Sequence, residues 1–236
     1  MALNNGYIEA FWYSSNNFGD NLNHYLIKEL SGKIPVFVKD RRNPHYIVCG
    51  SILGEFTEGS MIWGAGFFYD HQLLHFDIPV YAVRGELTRG QIKKDVPVGD
   101  PALLLPLLYD SNKNKKNRIG IIPHWSNVKT VIDIGYNVHV IDPFQSTKDF
   151  IDDVVSCECV FSESLHGLIV ADAYNIPNMW VDLGAEIGGG YKFKDYYSTV
   201  NNPPKFPMKT LNEKYCIVHN YKYNLQDLLN SCPFKK

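Results

Sequence analysis

V-S-C-E-C-V-F-S-E-S-L-H-G-L-I-V-A-D-A-Y-N-I-P-N-M-W, residues Val155–Trp180, contains a complete strand–turn–helix–strand unit. Cys157–Phe161 is a short apolar run of strand length and β-branched or aromatic character. Ser162 and Ser164 follow, both residues that cap helix starts. The helix they start, Leu165 to about Tyr174, is apolar nearly all round, which predicts burial on every side in an α/β domain. Pro177 stops it, and Met179–Val181 begins the next strand. His166 stands in the first helical turn. Open α/β sheets bind ligands at this corner, because the strand ends there and free helix N–H groups attract anions.

Outward from that unit the chain alternates strands and helices. The first half predicts strands at Tyr7–Trp12, Val36–Val38, Tyr46–Cys49, Met61–Trp63 and Pro79–Val83, with a helix over Asn21–Leu30 closed by Gly32. These strands end in glycine, serine or a charge, the pattern of a parallel sheet with a ligand-facing edge. Asp110–Asn117 has no apolar residue and reads as a linker. It divides the chain into residues 1–110 and 118–236. The second half predicts strands at Arg118–Ile122 and Asn137–Ile141, helices near Ser126–Ile134 and Thr147–Ser156, and a final amphipathic helix over Tyr221–Leu229. The fold class is α/β: two Rossmann-like halves with a cleft between them.

Composition narrows the function. The 236 residues are 45% hydrophobic and 20% charged, an ordinary globular balance. A net charge of −2 gives no basic field for nucleic acid. Five cysteines, an odd number, with no signal peptide before them, suit reduced thiols in a cytoplasmic protein. No run approaches the roughly 18 apolar residues of a membrane span. Peripheral attachment at the inner face of a membrane stays open.

Several residues carry potential chemistry. His166 suits a general acid or base, or packs and caps. Gly167 permits close ligand approach, or tight helix–strand packing. Asn17, Gly19 and Asp20 lie in a turn after the first strand, where N–H groups and an amide can hold a substrate. Gly64 and Gly66 open like a dinucleotide fingerprint, but Tyr69 stands at the third glycine position and no such site is expected. Arg84, at a strand end, suits an anion clamp or an ion pair. Cys157 and Cys159 lack a second pair at zinc spacing, so no metal is expected. Ser162 and Ser164 are outside any G-x-S-x-G elbow, against a serine hydrolase. After the triple glycine 188–190, Lys192 and Lys194 alternate with aromatics, as in a lid or an anion-gripping strand.

Ser164-Leu165-His166-Gly167-Leu168-Ile169, followed by Ala171-Asp172-Ala173-Tyr174 and Ile176-Pro177, resembles the signature of the polysaccharide pyruvyl transferase family. Asn17-Phe18-Gly19-Asp20-Asn21-Leu22, Trp63-Gly64-Ala65-Gly66, Val83-Arg84-Gly85, Gly99-Asp100-Pro101-Ala102, Ile122-Pro123-His124 and Lys192–Tyr197 fall in the family's order and span nearly the whole chain. The resemblance implies a two-domain, GT-B-like fold. It implies transfer of pyruvyl from phosphoenolpyruvate to sugar hydroxyls, often as a cyclic ketal on a surface- or exopolysaccharide precursor. The acceptor would be an oligosaccharide or lipid-linked saccharide, and no cofactor is implied beyond phosphoenolpyruvate as co-substrate. His166 and Arg84 would be catalytic. Asn17, Gly19, Asp20, Gly64, Gly66, His124, Ser162, Ser164, Gly167, Lys192 and Lys194 would bind substrate. Many members carry arginine where this chain has Ser164, a variant similar to the exopolysaccharide ketal-transferase branch. That leaves Arg84, Lys192 and Lys194 as candidates to grip the donor. A GT-B glycosyltransferase using a nucleotide sugar is the alternative, and a non-catalytic sugar-binding protein a third.

Overall fold

The computed structural model describes residues 6–111, 114–129, 138–185 and 188–236. Short apolar strands and capped helices alternate to give two parallel sheets. The first holds β1 (Tyr7–Ala10), β2 (Ile34–Phe37), β3 (His45–Ile47), β4 (Ser60–Trp63) and β5 (Val80–Ala82), in the order β2-β1-β3-β4-β5. The second holds β6 (Asn117–Ile122), β7 (His139–Val140), β8 (Cys157–Ser162) and β9 (Asn178–Trp180), in the order β7-β6-β8-β9. Every pairing between these strands is parallel. Each order reverses once, between β1 and β3 and between β6 and β8. At such switch points successive crossovers leave to opposite faces, and a crevice opens outside the carboxyl ends of the strands. The helix expected near Ser126–Ile134, and the expected strand start at Asn137, lie partly outside the described residues.

The helices form where capping and apolar spacing agree. Helix α1 (Phe18–Ser31) starts earlier than Asn21 because the Asn16–Asp20 turn is itself the cap: Asn17 Oδ1 accepts the Asp20 N–H at 3.1 Å. Gly32 closes it in the left-handed conformation. Leu22, Leu26, Ile27 and Leu30 line its buried face. Helices α2 (Glu86–Ile92) and α3 (Leu105–Leu108) follow β5, with a 3-10 turn, Pro101–Leu104, between them. In the second half, α4 (Thr147–Val155) is capped by Ser146, and α5 (Leu165–Ala173) follows Ser164. As its all-round apolarity predicts, α5 is enclosed, with the second sheet on one side and the Pro101–Leu104 turn on the other. Phe18 stacks on Phe150 at 3.8 Å between centroids, joining α1 to α4. One apolar core therefore runs through both sheets, from Ile8 and Trp63 to Val160 and Leu168.

The segment after the triple glycine is a helix, α6 (Tyr191–Tyr197), where the lysine–aromatic alternation suggested a strand. In a strand Lys192 and Lys194 would share a face; in a helix residues two apart point in different directions. Lys192 is accordingly partly buried and Lys194 exposed. The helix wins because Phe193 stacks on Trp180 at 4.4 Å and Asp195 meets a buried partner.

That partner is Arg84. Its guanidinium is fully buried, with Nε 3.0 Å and Nη2 2.9 Å from Asp195 Oδ2, and it also donates to Ser51 Oγ and the Phe67 carbonyl. Asp195 accepts from the Thr88 N–H and Oγ1–H as well, both at 2.8 Å. The V-R-G and K-F-K-D-Y-Y segments are thus the two sides of one polar joint between the sheets. Gly85 belongs to it, since a Cβ there would strike the Asp195 carbonyl oxygen. Gly85→Ala is expected to cost about 1–3 kcal/mol by overpacking, read in a denaturant titration. The tail crosses back as well. Helix α7 (Leu225–Asn230) and the residues after it pack on the first sheet. Trp63 Nε1 donates to the Leu228 carbonyl at 3.2 Å, and Phe234 wedges against Tyr46 and Trp63.

Candidate functional site

A cavity of about 640 Å³ opens at both switch points at once. The β1–α1 turn (Tyr13–Asp20) and Gly50–Ile52 after β3 line it from the first sheet. His124 and Trp125 after β6, and Ser164–His166 after β8, line it from the second. Lys192 of α6 completes the polar wall.

His166 sits in the first turn of α5 and reaches across to the first sheet. Its Nε2 lies 3.2 Å from Cys49 Sγ and 3.7 Å from Asp100 Oδ2. Its Nδ1 lies against Gly19, so close that a Cβ at that position would be 2.5 Å from it. Any side chain at Gly19 would therefore push the imidazole out of place. Asp100 is fully buried, and its Oδ1 accepts the Cys49 S–H at 3.4 Å and the Ala102 N–H at 3.0 Å. Burial alone would raise the Asp100 carboxyl, but His166, the Ala102 N–H and the Arg84 charge outweigh it and hold the group below its usual range. Burial, with the Asp100 charge, pushes the Cys49 thiol well up, so it is a neutral donor and no thiolate.

The opposite wall is charged. Asn17 Nδ2 donates to Asp20 Oδ2 at 2.8 Å, and the Ser15 hydroxyl bonds the same carboxylate. Burial still raises the Asp20 carboxyl despite these bonds and the nearby His166. Lys192 is lowered to about 8, first by burial and then by the Arg84 charge behind it. Its Nζ lies 5.2 Å from the Phe68 ring centroid. Burial and the Lys192 charge lower His124 to about 4, so it is neutral in the physiological range, with Nδ1 2.7 Å from Ser126 Oγ. Ser164 makes no side-chain capping bond to α5.

Asn17, Gly19, Asp20, His124, Ser164, His166 and Lys192 are thus brought together from across the sequence. The remaining candidates are placed behind the wall or outside it. Arg84 does not line the cavity, because Asp195 engages it one layer below. Ser162 is buried, its Oγ bridging the N–H and carbonyl of Ser164, and Gly167 packs against that hydroxyl. Gly64 seats the Pro101 ring and Gly66 the Arg84 guanidinium. Lys194 faces solvent.

Three acidic or thiol groups that matter here carry no local signal of it. Cys49 and Asp100 meet His166 only through the fold. Glu163 is fully buried and accepts from the Leu183, Ala185 and His124 N–H groups and from Asn127 Nδ2, tying two cavity-side loops together. That pairing is what permits a buried carboxylate there, since an unpaired one is prohibitively costly.

The chain matches the family described as polysaccharide pyruvyl transferase over residues 11–184. That span holds every cavity residue just gathered except Lys192. The chain is 28% identical over 234 residues to "Uncharacterized protein L143" of Acanthamoeba polyphaga mimivirus, covering 91% of this chain and 79% of that one. It is 27% identical over 219 residues to "Succinoglycan biosynthesis protein ExoV" of Rhizobium meliloti (strain 1021), covering 85% and 68%. No solved structure matches.

Proposed function

Since this chain belongs to the polysaccharide pyruvyl transferase family, we propose that it moves pyruvyl from phosphoenolpyruvate onto two hydroxyls of one sugar in an exopolysaccharide precursor. On this reading the sheets are two Rossmann-like domains, residues 1–110 and 118–236, in a GT-B-like arrangement. The cavity is then the cleft between them. The observation that carries the reading is a partly buried ammonium, a histidine and a helix start without a side-chain cap, all lining one cavity.

The donor's chemistry matches each part. Phosphoenolpyruvate carries about three negative charges near neutral pH, so its site needs cations and N–H donors. Lys192 and the first turn of α5 supply them. His166 as imidazolium gives a proton to the methylene carbon, which becomes the pyruvyl methyl and leaves C2 electrophilic. A sugar hydroxyl adds at C2 and loses its proton, and the C2–O bond to phosphate breaks. A second hydroxyl adds to the resulting oxocarbenium, loses its proton and closes the ketal. The hydroxyl protons return to His166 and the departing phosphate, so the base is reset to an acid. No cofactor enters this scheme. Two exposed rings at the rim, Tyr13 and Trp125, offer flat apolar faces to the sugar. No helix among the described residues is long and apolar enough to cross a membrane, so a lipid-linked acceptor would be met from the membrane surface.

Lys192 separates the two lysines. Lys192→Met is expected to raise the KM for phosphoenolpyruvate by about 10–100-fold, with Lys194→Met unchanged. The sign for stability is opposite. A lysine whose folded pKa is depressed to about 8 costs stability below that pH, and the cost fades as pH rises toward its ordinary value. Lys192→Met should therefore melt higher than wild type at pH 7. For the wild type, donor KM should climb as pH passes about 8 and the ammonium is lost.

Calorimetric binding tests the donor assignment. Phosphoenolpyruvate should bind the wild type, bind Lys192→Met weakly, and be indifferent to nucleotide. Competition by a nucleoside diphosphate, with no heat from phosphoenolpyruvate, would favour a glycosyltransferase instead.

A further inference from the structure

The contacts of His166 assign a role to Asp100, which the proposed chemistry has not yet used. Asp100 Oδ1 is doubly engaged, by the Cys49 S–H and the Ala102 N–H. Its Oδ2 is buried with no hydrogen-bond partner, and His166 Nε2 lies 3.7 Å from it. A fully buried carboxylate oxygen left bare is expensive, and one imidazole N–H directed at it relieves that cost. Cys49 Sγ, 3.2 Å from the same nitrogen, is a neutral thiol whose own hydrogen points to Asp100, so it leaves its weak lone pair toward Nε2. Both neighbours of Nε2 therefore act as acceptors. The other nitrogen, Nδ1, lies against Gly19 of the cavity wall, a residue with no side chain of its own to cover it.

We propose that Asp100 is a positioning residue: it holds neutral His166 in the Nε2–H tautomer, so that Nδ1 is the nitrogen that takes and gives the reacting proton. The logic is that of a carboxylate orienting a catalytic imidazole, with the two ring nitrogens exchanged. It also explains the requirement for glycine at position 19, since the working nitrogen must remain reachable. Asp20 on α1 faces the ring from the cavity, Cys49 and Asp100 face it from the first sheet, and Lys192 stands across the cavity beyond Asp20. Of these only Asp100 is fixed, buried and charged on the Nε2 side.

The proposal rests on the reading that His166 carries the proton, and the two can fail separately. The spectroscopic arm needs no substrate. Nitrogen-15 imidazole spectra of the neutral protein should show His166 with a pyrrole-type Nε2 and a pyridine-type Nδ1. Asp100→Asn keeps volume and still caps the Pro101–Leu104 turn, because Asn is as good a cap as Asp. In that variant the tautomer preference should be lost, kcat should fall by about 10²–10⁴-fold, and the KM for phosphoenolpyruvate should stay within about threefold. A residue that is merely structural would lower the melting temperature and leave the tautomer and the rate per folded molecule intact. Two outcomes overturn the proposal. One is a pyridine-type Nε2 in the wild type. The other is a stoichiometric metal ion in the purified protein, because Cys49, Asp100 and His166 lie close enough together to ligate one and Nε2 would then carry no hydrogen. Correct tautomers with no proton transfer from His166 would instead leave Asp100's geometry standing and remove the catalytic reading.

Discussion

His166→Asn is expected to lower kcat by about 10²–10⁴-fold, the span of a lost general acid–base, while the protein stays folded. The position tolerates the change because His166 lies in the first turn of α5, where Asn is accepted, and because it contacts Gly19, Cys49 and Asp100 rather than the apolar core. What the substitution removes is an imidazole held between a buried carboxylate and Gly19 of the cavity wall. Asn has no ring nitrogen and cannot hold a proton for the methylene carbon. The KM for phosphoenolpyruvate should move little, since Lys192 and the start of α5 carry the donor's charge in this account. A thermal melt on the same preparation separates loss of chemistry from loss of fold. A well-folded variant turning over at the wild-type rate would take His166 out of the mechanism.

Asp195→Ala is expected to have the largest effect on stability, about 3–5 kcal/mol. It leaves the Arg84 guanidinium enclosed without a counter-charge and strands the Thr88 N–H and hydroxyl. Against the ~5–15 kcal/mol that holds a typical domain together, that is a large fraction. The melting temperature should fall by about 6–20 °C. Replacing both partners with apolar residues of similar volume, Arg84→Met with Asp195→Leu, should restore part of the loss, because no charge is then left unpaired. Arg84→Met alone should fall between the two. These results would place Arg84 in the joint between the sheets. If Asp195→Ala melts like the wild type, the joint is unimportant and Arg84 is free to act elsewhere.

Much of this architecture is legible in the chain because it depends on local rules. Helix α5 is bounded by Ser164 and Pro177 and apolar all round, so its burial follows from composition alone. The Asn17 cap and the Gly32 stop mark α1, and strand ends rich in glycine and serine mark the ligand-facing edge. Helix α6 is misread because Lys192-Phe193-Lys194 has a two-residue alternation over too short a span to expose a helical period. Its true state is set by Trp180 and Arg84, partners far away in sequence. Arg84 itself obeys the rule for a strand-end anion clamp, but its anion is Asp195, 111 residues on. Asp100 stands inside a recognisable G-D-P turn, yet nothing near it says that it faces His166. Cys49 carries no signal whatever beyond its place after a strand. The tail's return to Trp63 is likewise a long-range event that amphipathic spacing cannot assign to one sheet or the other.

The most direct test of pyruvyl transfer from phosphoenolpyruvate is the reaction run in deuterium oxide with a panel of free and lipid-linked oligosaccharides. The products are read by phosphate assay and by proton NMR of the sugar. The account predicts one phosphate released per acceptor modified, a ketal methyl on the sugar, and one deuterium in that methyl, because the methylene carbon takes its third hydrogen from the solvent-exchanged His166. Intact phosphoenolpyruvate beside nucleotide released from a nucleotide sugar would contradict it.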